Sequence, residues 1–193
     1  ENDIVVPAID KTIKVMRVFD GQLITEAISL DATIKNGQII SDPATDILKM
    51  VVLNRYTDAK PAVAFVQGFG FKKGAIASTV AHNIIAVGVN DDEIVRAINL
   101  LIEVKGGISL INGDEFEVLP LPVAGLMSNL DGYQVACMYE LINAAAKGLG
   151  TKLITPYMTL SFMALLVIPS LKLSDKGLFD GINFRFTNLF EKY

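Results

Sequence analysis

Tryptophan is absent from the 193-residue chain, and cysteine and histidine occur once each, as Cys137 and His82. A lone cysteine cannot close an internal disulfide, so the fold is held without staples and a reducing, cytoplasmic setting is expected. One histidine and one cysteine, far apart in sequence, cannot supply the ligand set of a nitrogen- and sulfur-ligated metal site. Charged residues make up only 20% of the chain and sum to −4. The single basic doublet, Lys72-Lys73, has no aromatic ladder beside it. Nucleic acid is therefore not an expected partner, because phosphate neutralisation needs a concentrated basic footprint. Long hydrophobic runs are missing too. The longest, Met158 to Ile168, is too short for a bilayer and contains Thr159 and Ser161, so no membrane partner is expected. The opening Glu1-Asn-Asp-Ile has neither the basic nor the apolar region of a secretory signal. It also has no initiator methionine, as an excised fragment or a processed start would show.

What the chain does have is apolar residues, 51% of the total. That lies at the upper edge for a soluble domain. A chain of this length buries roughly 70% of the surface its unfolded form exposes. The surplus can serve its own core or cover a neighbouring domain or subunit. Cys137 is expected as a small core residue on a helix, since no His, Lys or Arg lies close by in sequence to activate its thiol.

The first part of the chain is strand-like: Thr12 to Phe19 and Leu23 to Leu30, with Asp20-Gly21 between them, then a turn at Asn36-Gly37 leading to Gln38-Ile-Ile40. Residues 1–45 read as an antiparallel β arm leading into a domain over 46–193. Four short, β-branched runs follow, Lys49 to Arg55, Ala62 to Val66, Ala75 to Val80 and Ile84 to Val89, and predict buried strands sharing one sheet. Asn90 with Glu93 forms a helix start of the capping-box type, and Ile94, Val95, Ile98, Leu101 and Ile102 follow on one face until Gly106-Gly107. Ile108 to Ile111 and Phe116 to Leu119 predict a strand pair turned at Asn112-Gly113. A second helix is predicted from about Asp131 to Lys147, with Val135, Met138, Leu141, Ile142, Ala145 and Leu149 near one stripe. Pro156 to Pro169 reads as a short helix or an irregular buried segment, and Phe184 to Phe190 as a final strand. The fold class is α/β of the mixed α+β kind: one strand-rich mixed sheet, two main helices packed on it, and the N-terminal β arm.

Few constellations carry chemistry. Gly68-x-Gly70-x-x-x-Gly74 has the wrong spacing for a dinucleotide fingerprint, and a β-branched run follows it instead of a helix. Its glycines are expected to serve a tight turn between strands. Asp91-Asp92-Glu93 is the most obvious carboxylate cluster, but negative charge at a helix N-terminus is what the macrodipole favours. Ser78, His82 and an Asp could be assembled on paper into a triad, yet no nucleophile elbow surrounds any serine. His82 and Asn83 remain as candidate site residues because they stand where an apolar strand ends and the chain turns. A hydrogen-bonded strand-end histidine is the plainer alternative.

Three long segments of unusual composition carry a resemblance: Gly68 to Gly88, Leu119-Pro-Leu-Pro-Val-Ala-Gly-Leu-Met-Ser128, and Leu160 to Asp180. In order and separation they resemble the C-terminal domain of bacterial adenine deaminase, from about Lys11 to Phe190. In that family the turn motif reads His-Asp-x-His-Asn, whereas His82-Asn83 is three residues short. A shortened loop and three residues missing between Ala81 and Asn83 both fit, and a break in the backbone there would separate them. The resemblance implies an upstream amidohydrolase barrel as this domain's own partner. That barrel would hold a divalent metal, Mn or Fe, and bind adenine, converting it with water to hypoxanthine and ammonia. No cofactor or metal is assigned to the present chain, which by itself is expected to be inactive. A homo-oligomer is implied as well. Within this reading the His82-Asn83 turn either leans over the barrel mouth or belongs to a pure scaffold. The alternative is a stand-alone, non-catalytic binding or oligomerisation module.

Overall fold

Alternating apolar positions and a few turn residues dictate the layout of the computed structural model, which describes residues 2–80 and 83–191. After a short 3-10 turn at Asn2–Ile4, the chain forms β1 (Val6–Pro7), β2 (Thr12–Val18), β3 (Thr25–Asp31), β4 (Ile34–Lys35) and β5 (Gln38–Ile39). Next come β6 (Ile47–Asn54), β7 (Ala62–Gln67), β8 (Ala75–Val80), β9 (Asn83–Gly88) and helix α1 (Asp91–Glu103). The hairpin β10 (Gly107–Asn112) and β11 (Glu115–Pro120) leads to helices α2 (Gly132–Gly148) and α3 (Pro156–Phe162). The chain closes with β12 (Leu171–Ser174), β13 (Gly177–Asp180) and β14 (Arg185–Phe186).

Eight strands make the central sheet in the order β11-β10-β8-β9-β6-β7-β2-β3. All pairs are antiparallel except β2 with β7. The strand-rich mixed sheet expected from the sequence is therefore present, and the runs over 49–89 do share it. The N-terminal antiparallel part divides. β2 and β3 extend the main sheet, while β1, β5 and β4 form a small sheet of their own. Asn36 and Gly37 turn β4 into β5 with φ of 53° and 75°, the positive values that a two-residue hairpin of this hand requires. A second small sheet, β12-β13-β14, lies near the C-terminus.

The two faces of the sheet are buried by different elements. Val51, Ala75, Ala77, Ile84 and Ala86 point to α1, where Ile94, Ala97, Ile98 and Leu101 meet them. Further along that face Val15, Ile47 and Phe65 pack with Val6 and Ile39 of the small N-terminal sheet. The intervening residues, Met50, Ile76, Ile85, Val87 and Leu110, face Ile142 and Ala146 of α2, Tyr157 and Leu160 of α3, and Leu171, Leu173 and Leu178 of the C-terminal sheet. Three layers result, each closed by strand residues of opposite parity.

Helix α1 starts as the sequence predicts, but the partners differ in detail. Asn90 Oδ1 accepts from the Glu93 N–H at 2.8 Å. The Glu93 carboxylate bonds the Asn90 side-chain amide at 2.6 Å and the Gly113 N–H at 2.9 Å, locking the helix to the β10–β11 turn. The acidic first turn has a second purpose. Lys49, only 1% exposed, donates to both Asp91 oxygens at 2.7 and 2.8 Å and to the Ile4 carbonyl at 3.1 Å.

Three expectations fail. Cys137 is exposed, because it lies on the outer side of α2. Leu141 and Ile102 are 66% and 52% exposed, since the buried stripes of α2 and α1 are narrower than the apolar pattern suggests. The expected last strand is reduced to Arg185–Phe186, with Phe190 reaching only a single bridge to Ile13. Between Pro156 and Pro169 the short helix expected from the sequence is present as α3, which ends at Phe162 with turns after it.

Candidate functional site

The turn singled out in the sequence sits where β8 ends and β9 begins. Asn83 is the first residue of β9 and lies opposite Val80 on one side and Asn54 on the other. Its Oδ1 is buried and has no hydrogen-bond partner among the described residues. His82 lies outside the described residues, and with it the question of whether the backbone is continuous there.

Polar residues gather at this end of the sheet because the apolar strands finish here. Asn54, the last residue of β6, accepts from the N–H groups of Tyr56 and Thr57 at 2.9 and 3.2 Å, which turns the chain out of the strand. Its amide donates to Asp175 at 2.9 Å, in the turn between β12 and β13. Arg55 follows. Its Nη2 donates to the Ala124 carbonyl, its guanidinium lies 5.1 Å from the centre of the Tyr56 ring, and its Nη1 is buried without a partner among the described residues. Gly125 permits this arrangement: a Cβ there would come within 2.4 Å of Nη1. Thr79 ties the same loop down from the other strand. Its Oγ1 accepts from the Gly107 N–H at 3.0 Å and stands within donor reach of the Gly125 carbonyl.

Three distant segments meet here. Thr79, Val80 and Asn83 come from Gly68 to Gly88, Ala124 and Gly125 from Leu119 to Ser128, and Asp175 from Leu160 to Asp180. Asn54 and Arg55 connect them and were read in the sequence only as a strand end. Two polar residues closing an otherwise apolar strand were the available signal. A cavity of about 440 Å³ opens beside them, walled by Arg55, Tyr56, Thr79, Ile84, Leu101 and Lys105. Chemically the cluster offers hydrogen-bond donors, amides and a fixed cation. It can hold and orient, and no nucleophile paired with a base occurs in it among the described residues. Nor do three His, Cys, Asp or Glu side chains converge anywhere among the described residues to hold a metal.

The remaining candidates are accounted for by local structure. Ser78 is buried and its hydroxyl meets the Thr79 carbonyl at 3.3 Å. In the glycine-rich turn, the N–H groups of Gly68 and Gly70 point at the Asp46 carboxylate, at 2.8 and 2.7 Å. The turn's anion-binding groups are thus satisfied from within the protein. The third segment also carries Lys172, fully buried in β12 with its Nζ bonded to the Leu23 carbonyl at 2.8 Å. Burial lowers its pKa to about 8.

Comparison with known proteins identifies the family of the chain. The family model described as adenine deaminase C-terminal domain matches residues 22–185. The chain belongs to that family. It is 54% identical over 183 residues to an adenine deaminase of Methanosarcina barkeri, covering 93% of this chain and 33% of that protein. An adenine deaminase of Sulfurovum is 52% identical over 177 residues, covering 90% and 32%. One of Borreliella afzelii is 43% identical over 182 residues, covering 92% and 33%. The domain therefore spans about a third of the length of the curated relatives it matches. The resemblance read from the three segments is borne out, and the alternative of a stand-alone, non-catalytic binding or oligomerisation module derived from that domain is not favoured. Among the described residues no helix is long and apolar enough to cross a membrane.

Proposed function

We propose that this chain is the C-terminal domain of an enzyme that hydrolyses adenine to hypoxanthine and ammonia in the cytoplasm, as part of purine breakdown. The catalytic portion is an upstream amidohydrolase barrel of the same protein, in a homo-oligomer. The observation that carries the reading is the meeting of the three family segments at one end of the sheet, around Asn54, Arg55 and Asn83. Scattered family signatures that converge on one surface mark a place where the domain does something specific for its enzyme.

On this reading the end of the sheet bearing Asn83 leans over the barrel mouth, where it excludes water and positions the purine. A manganese or iron ion belongs to the barrel. Such an ion lowers the pKa of a bound water so that hydroxide forms near neutral pH. The described residues of this domain offer no ligand set for it. Asn83 Oδ1 is an acceptor awaiting a donor, and Arg55 holds the neighbouring loop in place.

The decisive experiment compares the full-length protein with the 193-residue chain. The full-length protein should release ammonia from adenine. The short chain should neither do so nor retain stoichiometric transition metal, and ammonia release by the short chain would overturn the assignment. In the full-length enzyme, His82→Ala and Asn83→Ala should each lower kcat/KM roughly tenfold, about 1.4 kcal/mol of transition-state stabilisation, at unchanged melting temperature. Activity equal to wild type in both variants would leave this end of the domain as scaffold.

A further inference from the structure

Helix α2 carries more apolar surface than its own domain covers. Only Ile142 and Ala146 are buried among its residues. On the opposite side Tyr133, Cys137, Leu141 and Ala144 follow one another at four-, four- and three-residue steps, forming one exposed stripe. Tyr133 is 91% exposed and Leu141 66%. A helix that is apolar on both sides is covered on both sides in its working state.

The stripe continues into the loop before the helix, where Leu126, Met127 and Leu130 are exposed as well. From Leu119 to Tyr139 the chain contains one charged residue, Asp131, and that carboxylate is engaged in capping α2 through the N–H groups of Tyr133 and Gln134. Depletion of charge with exposed Tyr, Met and Leu is the composition of an interface core, and differs from that of a solvated surface. The same loop is fixed by Arg55 and Thr79 at the end of the sheet that bears Asn83. Whatever covers α2 is thereby contiguous with whatever that end meets.

We infer that the outer stripe of α2 and the loop over 121–130 form the surface on which the upstream portion of the same polypeptide docks. This rests on the reading given under Proposed function, and it names the occupant as the protein's own barrel. Two observations select it over a second copy of this domain. The relatives are about three times the length of the matched region, so a large body from the same chain is there to be seated. The stripe also runs without interruption into the loop that flanks the candidate site, which the barrel mouth faces.

The test is made in the full-length protein with a photo-crosslinking residue, Tyr133→p-benzoylphenylalanine. Tyr133 is so exposed within the domain that the replacement leaves its packing intact. Irradiation should give an adduct at the mass of a single chain, with the captured peptide upstream of Glu1. Phe116→p-benzoylphenylalanine is the control, since Phe116 is 61% exposed on β11 beside α1. It should give no such adduct. An adduct at twice the chain mass, no adduct at all, or equal capture from position 116 would each overturn the inference. Deaminase activity is measured on the same samples. Activity without the adduct refutes the docking surface alone, and the adduct without activity refutes the functional reading alone.

Discussion

Helices α1 and α2 are of similar length, yet they meet the sheet on opposite faces in opposite ways. In α1 five residues are buried, Glu93, Ile94, Ala97, Ile98 and Leu101, and the outer side carries Asp92, Arg96 and Glu103. In α2 two are buried, and the outer side carries Tyr133, Cys137 and Leu141. The first helix is largely finished by this chain: apart from Ile102 at its C-terminal end, its apolar side meets the sheet. The second is only half used. The contrast teaches that amphipathicity measures how far a helix's surroundings are supplied by its own domain.

Substitutions should divide along the same line. Ile94→Ala in the 193-residue chain removes a fully buried side chain between α1 and the sheet, at a cost of about 3 kcal/mol. Leu141→Ala on α2 should change stability by less than about 0.5 kcal/mol in the same chain. Denaturant unfolding measures both. Equal losses at the two positions would break the comparison.

The next largest effect concerns the ion pair at the start of α1. Asp91→Ala leaves the Lys49 ammonium inside with the Ile4 carbonyl as its partner. The Asp91 side chain is 30% exposed, so the cost should be about 2 kcal/mol, below that of a fully buried pair. Lys49→Met with Asp91→Ala should recover much of the loss. Failure of the double variant to recover would show that the pair positions α1 as well as neutralising charge.

A further effect is a pH dependence from the α2 side of the sheet. Burial holds Lys172 at about 8, below the ordinary lysine value, so between about pH 8 and 10.5 the unfolded chain binds more protons than the folded one. Stability should therefore rise with pH across that window, the penalty being fully present below pH 8. Burial raises Tyr157 well above its usual value of 10. Its contribution runs the other way, and stability should fall once unfolded tyrosine ionises above about pH 10. Lys172→Met should flatten the rise between pH 8 and 10 in denaturant titrations. A rise that persists unchanged would place its origin elsewhere.

The sheet and both long helices were legible because their signals are local. β-Branched runs, Asn36-Gly37 and the Asn90 cap each act within a few residues. Cys137 and Leu141 were misplaced for a physical reason: an apolar residue on a helix says that it will be covered, without saying by which chain. Phe190 was misjudged because alternation over a few residues at a chain end cannot tell a ladder from a single bridge. Of the candidate site, Asn83 could be seen as a turn residue in an unusual segment. Asn54, Arg55 and Asp175 could not, since their importance comes from being brought together by strand order across 121 positions of sequence.

The Asp46 carboxylate across the Gly68–Gly70 turn has a last consequence. A group tethered to the same chain competes with free ligands at an effective concentration in the millimolar range or above. A phosphate or nucleotide arriving at this turn would have to evict a resident anion that never diffuses away. The turn is thereby closed to such anions, and its amides are, through one aspartate, already taken.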